Sequence, residues 1–428
     1  MTANTDHVTS GEPGQNAVHT APDPGELTVR TVPVADPGDL LACLPHQPAL
    51  AWVRQGSGLV GWGEAARITL PAGEDRFTAG EKWLRDLFEE AESDDRVRLP
   101  GSGPVAFGSF TFDPASDGSV LVVPRTILGR DQEGRAWLTT IAGGSDPLPQ
   151  PDDPAAPASL RWHDGSLTAP QWEHAVAVAV DRISSGGLRK VVLARDVFAT
   201  AADPIDPRIL LRRLGTRYPD CFTFACANLV GATPELLVRR QGPEISALIL
   251  AGTAPRGARA AEDAGFGAAL LASAKNAEEH AYAVTSVRDA LGPLCAELDV
   301  PSRPSLLKLA NVHHLGTPVR GTLAADHSAL SLAGALHPTA AVCGTPAETA
   351  LELIRELEHM ERGRYAGPVG WVDAQGNGEF GIALRCAELD GRKARLFAGC
   401  GIVAGSDPSA ELAETEVKFA PVRQALEG

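Results

Sequence analysis

In "LRKVVLARDV", residues 188 to 197, Lys190 heads a β-branched and aliphatic run that reads as a buried strand. The chain carries 32 arginines and six lysines, so lysine at this place is a scarce choice. Arginine stays charged at any working pH, whereas a desolvated lysine ammonium can lose its proton and act as a base. On this stretch alone, a side chain that snorkels to the surface is the simpler account.

Other residues have types and spacings suited to the same chemistry. In "GATPELL", Glu235 follows Pro234 at the start of a strand. Partial burial there would raise its pKa and suit it to general acid work, the alternative being an exposed strand-end glutamate. In "SAELAETEVKF", Glu411, Glu414 and Lys418 fall at i, i+3 and i+7 and share one helix face. Glu278 and Glu279, next to His280, provide a second acidic spot on another helix. Carboxylates brought together from two helices suit Mg²⁺, a hard cation that takes oxygen ligands; on spacing alone a solvated stripe with an ion pair is the simpler account. "LAGTAPRG" and "AGCGIVAGS" are glycine-rich turns whose N–H groups can bind a carboxylate. His313 and His314 in "NVHHLGT" point to opposite faces of a strand, so at most one faces a given site.

The elements that must position these groups alternate between strands and helices. Thr168 and Gln171 form a capping-box pattern that opens a helix ending at Gly186-Gly187, which delivers the chain into the Lys190 strand. Further helices are predicted at Pro207 to Tyr218, over "FGAALLASAKNAEEHAYAVTSVRDAL" as one long helix, at Ala347 to Glu361, and from Pro408. "GPVGWVDA", "GEFGIALRCAEL" and "ARLFAGCGIVA" read as three strands, and the first half reads as strands punctuated by glycine. Hairpins with helices between them make the fold class α+β. The organisation expected is a disordered tail over 1–27, a strand-rich N-terminal half over 28–160 and a catalytic region over 161–428, with "GGSDPLPQPDDPAAPAS" as the joining loop.

Bulk properties exclude several partners. A formal charge of −16 argues against nucleic acid and anionic membranes, so an anionic substrate needs a local cationic cluster. Seven cysteines without a C-x-x-C pair fit a reduced, cytoplasmic protein without structural zinc. The N-terminus lacks the pattern of a signal peptide, and no apolar run is long enough to span a membrane.

Taken in order, "KVVLAR", "GATPELL", "LAGTAPRG", "KNAEEH", "NVHHLGTPVRG", "LHPTAAVCGTP", "RGRYAGPVGW", "IALRC", "FAGCGIVAGS" and "AELAETEVK" resemble the chorismate-utilising enzymes over roughly residues 170 to 425. "WVRQGSGLVGWGEA" and "FGSFTFDP" resemble the isochorismate synthase branch. The resemblance implies a large antiparallel-sheet α/β sandwich with helices covering the sheets, chorismate as substrate and Mg²⁺ as cofactor. It makes Glu279 and Glu414 direct metal ligands and Glu411 a water-mediated one, while Asn276 stands where many relatives carry an acid. Tyr365, Arg385 and Lys418 would hold substrate carboxylates, assisted by backbone at Gly252, Thr253, Gly399 and Gly401, and His314 would contact the ring.

Lys190 resembles the base of the branches that use water as nucleophile, with Glu235 as the acid across the ring. Ala251 stands where aminodeoxychorismate synthases place a nucleophilic lysine, and Ala341, followed by Val342, where salicylate synthases tend to have threonine. The implied activity is isochorismate synthesis for siderophore or menaquinone biosynthesis, without an amidotransferase subunit; a monomer is the default expectation for an otherwise open oligomeric state. A salicylate synthase and a silent chorismate-binding protein are the rival readings.

Overall fold

The computed structural model describes residues 27–46, 49–142, 153–310 and 312–428. The expected tail therefore lies outside the described residues except at Leu27, which is buried at 3% exposure beside the first strand, Thr28–Val34. Most of the joining loop lies outside them as well.

Two large sheets form the molecule. A 13-stranded sheet runs from an edge at Arg161–Asp164 through Lys190–Thr200, Lys393–Ile402, Cys386–Asp390, Leu229–Thr233 and Phe222–Cys226 to strands of the first half. A 10-stranded sheet orders Cys295–Asp299, Val312–Leu323, Glu244–Pro255, Leu236–Gln241, Gly378–Ile382 and Pro368–Asp373 before it, too, continues into the first half. Among the described strands every pairing is antiparallel except that of Thr28–Val34 with Glu92–Asp95. Leu50–Arg54 pairs with Phe222–Cys226, and Val105–Ser109 with Pro368–Asp373, so both sheets are continuous across residue 160.

The strands alternate as period-2 geometry requires. Leu50 and Trp52 join the large apolar core, while Ala51 and Val53 face a second core under the helices Pro207–Arg217 and Pro408–Glu427. Helices Arg76–Glu89, Ala274–Leu291 and Ala329–Leu336 cover the 10-stranded sheet. The α+β sandwich is therefore the observed architecture.

Several local expectations are corrected. The predicted long helix is two, Ala260–Ala272 and Ala274–Leu291, because Ser273 is extended and its hydroxyl caps the second helix at the Asn276 N–H, 3.3 Å away. The helix from Ala347 stops at Leu357 rather than Glu361. "GEFGIALRCAEL" is two strands in different sheets, Gly378–Ile382 and Cys386–Asp390, with Arg385 at φ +48° between them. Glu235 lies between strands rather than on one, directly before Leu236. The helix Arg76–Glu89 was not identified from the strand-rich first half.

Candidate active site

The site lies where the chain passes between the two sheets. Pro234-Glu235 carries it from Leu229–Thr233 in one sheet to Leu236–Gln241 in the other, and Ala383 to Arg385 carries it back between Gly378–Ile382 and Cys386–Asp390. The two crossings run side by side: Ile382 N–H donates to Glu235 O at 3.2 Å, and Ala232 N–H donates to Arg385 O at 3.1 Å. This ladder places Glu235 and Arg385 on the wall of one cleft.

Most of the residues singled out from the sequence line that cleft: Glu235, Gly252, Thr253, Glu279, His314, Ala341, Tyr365, Arg385, Gly399, Gly401, Glu414 and Lys418. Lys190 is fully buried just behind it, since a Cβ placed on Gly401 would collide with the Glu279 carboxylate and Lys190 Cε. Its Nζ makes no hydrogen bond among the described residues and stands 3.3 Å from Glu279 Oε1. Glu235 is 6% exposed. Burial pushes its carboxyl up to about 8, against the opposing charges of Lys190, Arg385 and Lys418. It therefore holds its proton at neutral pH, facing a cleft lined with cations.

His314 is fixed by the strand pairing that sets it opposite Thr253, whose hydroxyl lies 3.1 Å from Nδ1. Gly252, at φ +81°, supplies the left-handed turn of a bulge in that ladder. Burial, with Arg385 and Lys418 nearby, lowers His314 to about 3, so it is neutral, and its buried Nε2 has no partner among the described residues. His313 faces the other way and binds Asp263 Oδ1 at 2.8 Å. The Tyr365 ring is stacked 5.0 Å from that of Phe397, which orients it along the cleft wall.

The helix face expected at Glu411, Glu414 and Lys418 packs against Lys393–Ile402. Lys418 Nζ reaches Glu414 Oε1 at 2.6 Å and donates to Gly399 O at 2.7 Å. Burial would raise the Glu414 carboxyl, but Lys418 and more distant cations hold it below the usual range. Glu411 is 2% exposed and pairs with Lys275 at 2.6 Å. Thus Lys190, Lys275 and Lys418, half of the six lysines, each sit on one of the three carboxylates expected to bind metal.

Ligand atoms of Glu411, Glu414 and Cys400 lie within 4.8 Å of one another. Burial holds the Cys400 thiol well above its ordinary pKa, so it stays protonated and donates to Glu411 O. That leaves carboxylate oxygens as donors, a set that fits a hard divalent cation. Glu279 is outside this group and turned to Lys190. Asn276, at the place where an acid is common, bonds Ser273 Oγ at 2.8 Å.

Sequence reasoning missed Lys275 and Arg362. Lysine scarcity was a signal for the first; the second lines the cleft from "RGRYAGPVGW", a motif from which only Tyr365 was drawn. Among the described residues no helix is long and apolar enough to cross a membrane.

Comparison with known proteins gives a consistent result. The sequence model of a family described as "Chorismate binding enzyme" matches residues 28–427. The salicylate biosynthesis isochorismate synthase of Pseudomonas aeruginosa is 37% identical over 413 residues, 89% of this chain and 85% of that protein. Isochorismate synthase DhbC of Bacillus subtilis is 37% identical over 342 residues, 76% of this chain and 81% of its own. The solved structure of MenF, the menaquinone-specific isochorismate synthase of Escherichia coli, superposes with a TM-score of 0.79 at 26% identity, covering 94% of each chain.

Proposed function

The chain belongs to the chorismate-binding enzyme family, and from that premise we propose how its cleft interconverts chorismate and isochorismate. The activity is that of an isochorismate synthase, an isomerase. The observation that carries the mechanism is the presence at one cleft of a protonated, buried Glu235 and a buried Lys190 whose nitrogen makes no hydrogen bond among the described residues.

In the forward direction Lys190 acts as the base and takes a proton from the water that attacks ring carbon C2. Glu235 gives its proton to the C4 hydroxyl, which leaves as water while the ring double bonds shift. One hydroxyl is lost and one gained, so the exchange is close to thermoneutral and the same two residues run it backwards with roles reversed. A group that accepts a proton and another that holds one let a single pocket do both jobs.

Arg385 and Lys418, with backbone N–H groups near Gly399 and Gly401, supply the positive field for the substrate carboxylates in a chain of net charge −16. Glu411 and Glu414, with Glu279 across the cleft, would hold Mg²⁺, which supplies charge neutralisation and orientation for a ring carboxylate. Neutral His314, its Nε2 without a partner among the described residues, is placed to accept or donate a single hydrogen bond at the ring.

The test is incubation with chorismate and Mg²⁺, with isochorismate, pyruvate and salicylate separated by chromatography. Isochorismate without pyruvate is expected, and Lys190→Ala should lower the rate by about 10²-fold or more. Salicylate and pyruvate as main products would instead establish a salicylate synthase.

A further inference from the structure

The strand that carries Lys190 has a gap along one edge. On its other side Lys393–Ile402 pairs with it from Val191 to Thr200 without interruption. On this edge Gly344 and Thr345 cover Lys190 and Val191, and Arg161–Asp164 covers Val197 to Thr200. Between them the backbone of Val192 and Ala194 is buried with no neighbouring strand among the described residues, and each of its polar groups needs a partner, the Val192 N–H finding Cys343 O at 2.7 Å.

Side chains provide most of those partners. Glu358 Oε1 accepts the Ala194 N–H at 2.7 Å, and Trp172 Nε1 donates to Ala194 O at 3.1 Å. Arg362 donates through one nitrogen to Val192 O and through another to Val342 O, each at 2.8 Å. Its Nε is held by Glu358 Oε2 at 2.9 Å, and its guanidinium lies over the Phe112 ring, 4.1 Å from the centroid. The pair is almost fully buried, with 3% and 1% of its side chains exposed. A buried ion pair is weak evidence of net stabilisation, because desolvation offsets the attraction, so its placement calls for another account.

We propose that Arg362, held by Glu358, is a positioning residue that replaces the missing strand and locks the Lys190 strand to the Ala341-Val342 wall of the cleft. The planar fork matters, since lysine has the charge but cannot span two carbonyls and a carboxylate at once. The proposal rests on Lys190 acting as the base, and it predicts an effect on turnover rather than on substrate binding.

The test compares wild type, Arg362→Lys and Trp172→Phe by steady-state kinetics on chorismate, by thermal melting and by hydrogen exchange of the Val192 and Ala194 amides. In Arg362→Lys, kcat per folded enzyme should fall by about 10 to 100-fold with KM within about threefold, and exchange at Ala194 should quicken. Trp172→Phe, which keeps its packing and loses only the donor, should shift both in the same direction by less. A role confined to stability would leave kcat per folded molecule unchanged, and that result overturns the proposal. Should Arg362→Lys fail to fold, the kcat of Trp172→Phe decides: a fall at constant KM supports the brace, and a wild-type value overturns it. Isochorismate formation by the wild type checks the activity separately. Exchange needs no turnover, so unchanged exchange in folded Arg362→Lys overturns the brace whatever the activity.

Discussion

Glu235 illustrates how far position alone can alter a side chain. Burial carries its carboxyl from 4.5 to about 8, so the acid is available at neutral pH and is lost above it. Forward turnover is therefore expected to decline as pH rises through about 8, and Glu235→Gln to lose about 10² to 10⁴-fold at every pH. The same shift has a stability consequence. Between pH 4.5 and about 8 the folded chain keeps a proton that the unfolded chain has released, so the wild type loses stability as pH rises through that window. Glu235→Gln does not titrate, and its melting temperature relative to wild type should rise from pH 5 to pH 8, by the equivalent of a few kcal/mol at most. A flat difference across that range would show that the carboxyl ionises normally. Lys190 and Glu235 were legible because residue type and ordered motifs marked them. Arg362 was not, because its partners at Val192 and Val342 are distant in sequence and are backbone atoms, which leave no residue-type signal.

At the scale of elements, periodicity identified most strands and helices but not where the chain changes sheet. "GEFGIALRCAEL" holds no glycine or proline at its break, and the left-handed residue there is an arginine, which no turn rule anticipates. That unmarked corner is also what turns Arg385 into the cleft. The break at Ser273 was legible in principle as a capping serine, and its consequence is testable. Ser273→Ala should cost about 1 kcal/mol, read as a lower denaturation midpoint, by uncapping the helix that bears Glu279. The close approach of the Lys393–Ile402 strand to that helix predicts a different outcome. In Gly401→Ala the new methyl meets both Glu279 and Lys190 Cε, so turnover should fall by about 10²-fold while the cooperative melt persists. Near-normal kinetics in this variant would mean that the pair is freer to move than its burial implies.

For the whole molecule, the arrangement of charge decides what metal removal does. Three carboxylates gathered between two sheets, in a chain of net charge −16, would repel one another if nothing balanced them. Lys275 and Lys418 provide that balance at Glu411 and Glu414, and Lys190 stands 3.3 Å from Glu279. Metal is therefore not needed to hold the sandwich together. Treatment with EDTA is expected to stop turnover while leaving a cooperative melt. Added Mg²⁺ should stabilise the fold only as mass action dictates, by about 2.7 kcal/mol at a hundredfold excess over Kd, read as a higher melting temperature. At a given Mg²⁺ concentration the increment is limited because a cation at Glu411 must displace Lys275, whose ammonium lies 2.6 Å from the carboxylate, and this raises Kd. Removing that competitor has two linked effects. Lys275→Met leaves the buried Glu411 carboxylate unbalanced, so the variant should melt lower than wild type in EDTA and gain more from Mg²⁺, the two curves converging at saturation. Calorimetric melts of both proteins across a Mg²⁺ titration measure this directly. If the two increments were equal, Lys275 would not compete with the cation, and the assignment of Glu411 to the metal would fall with it.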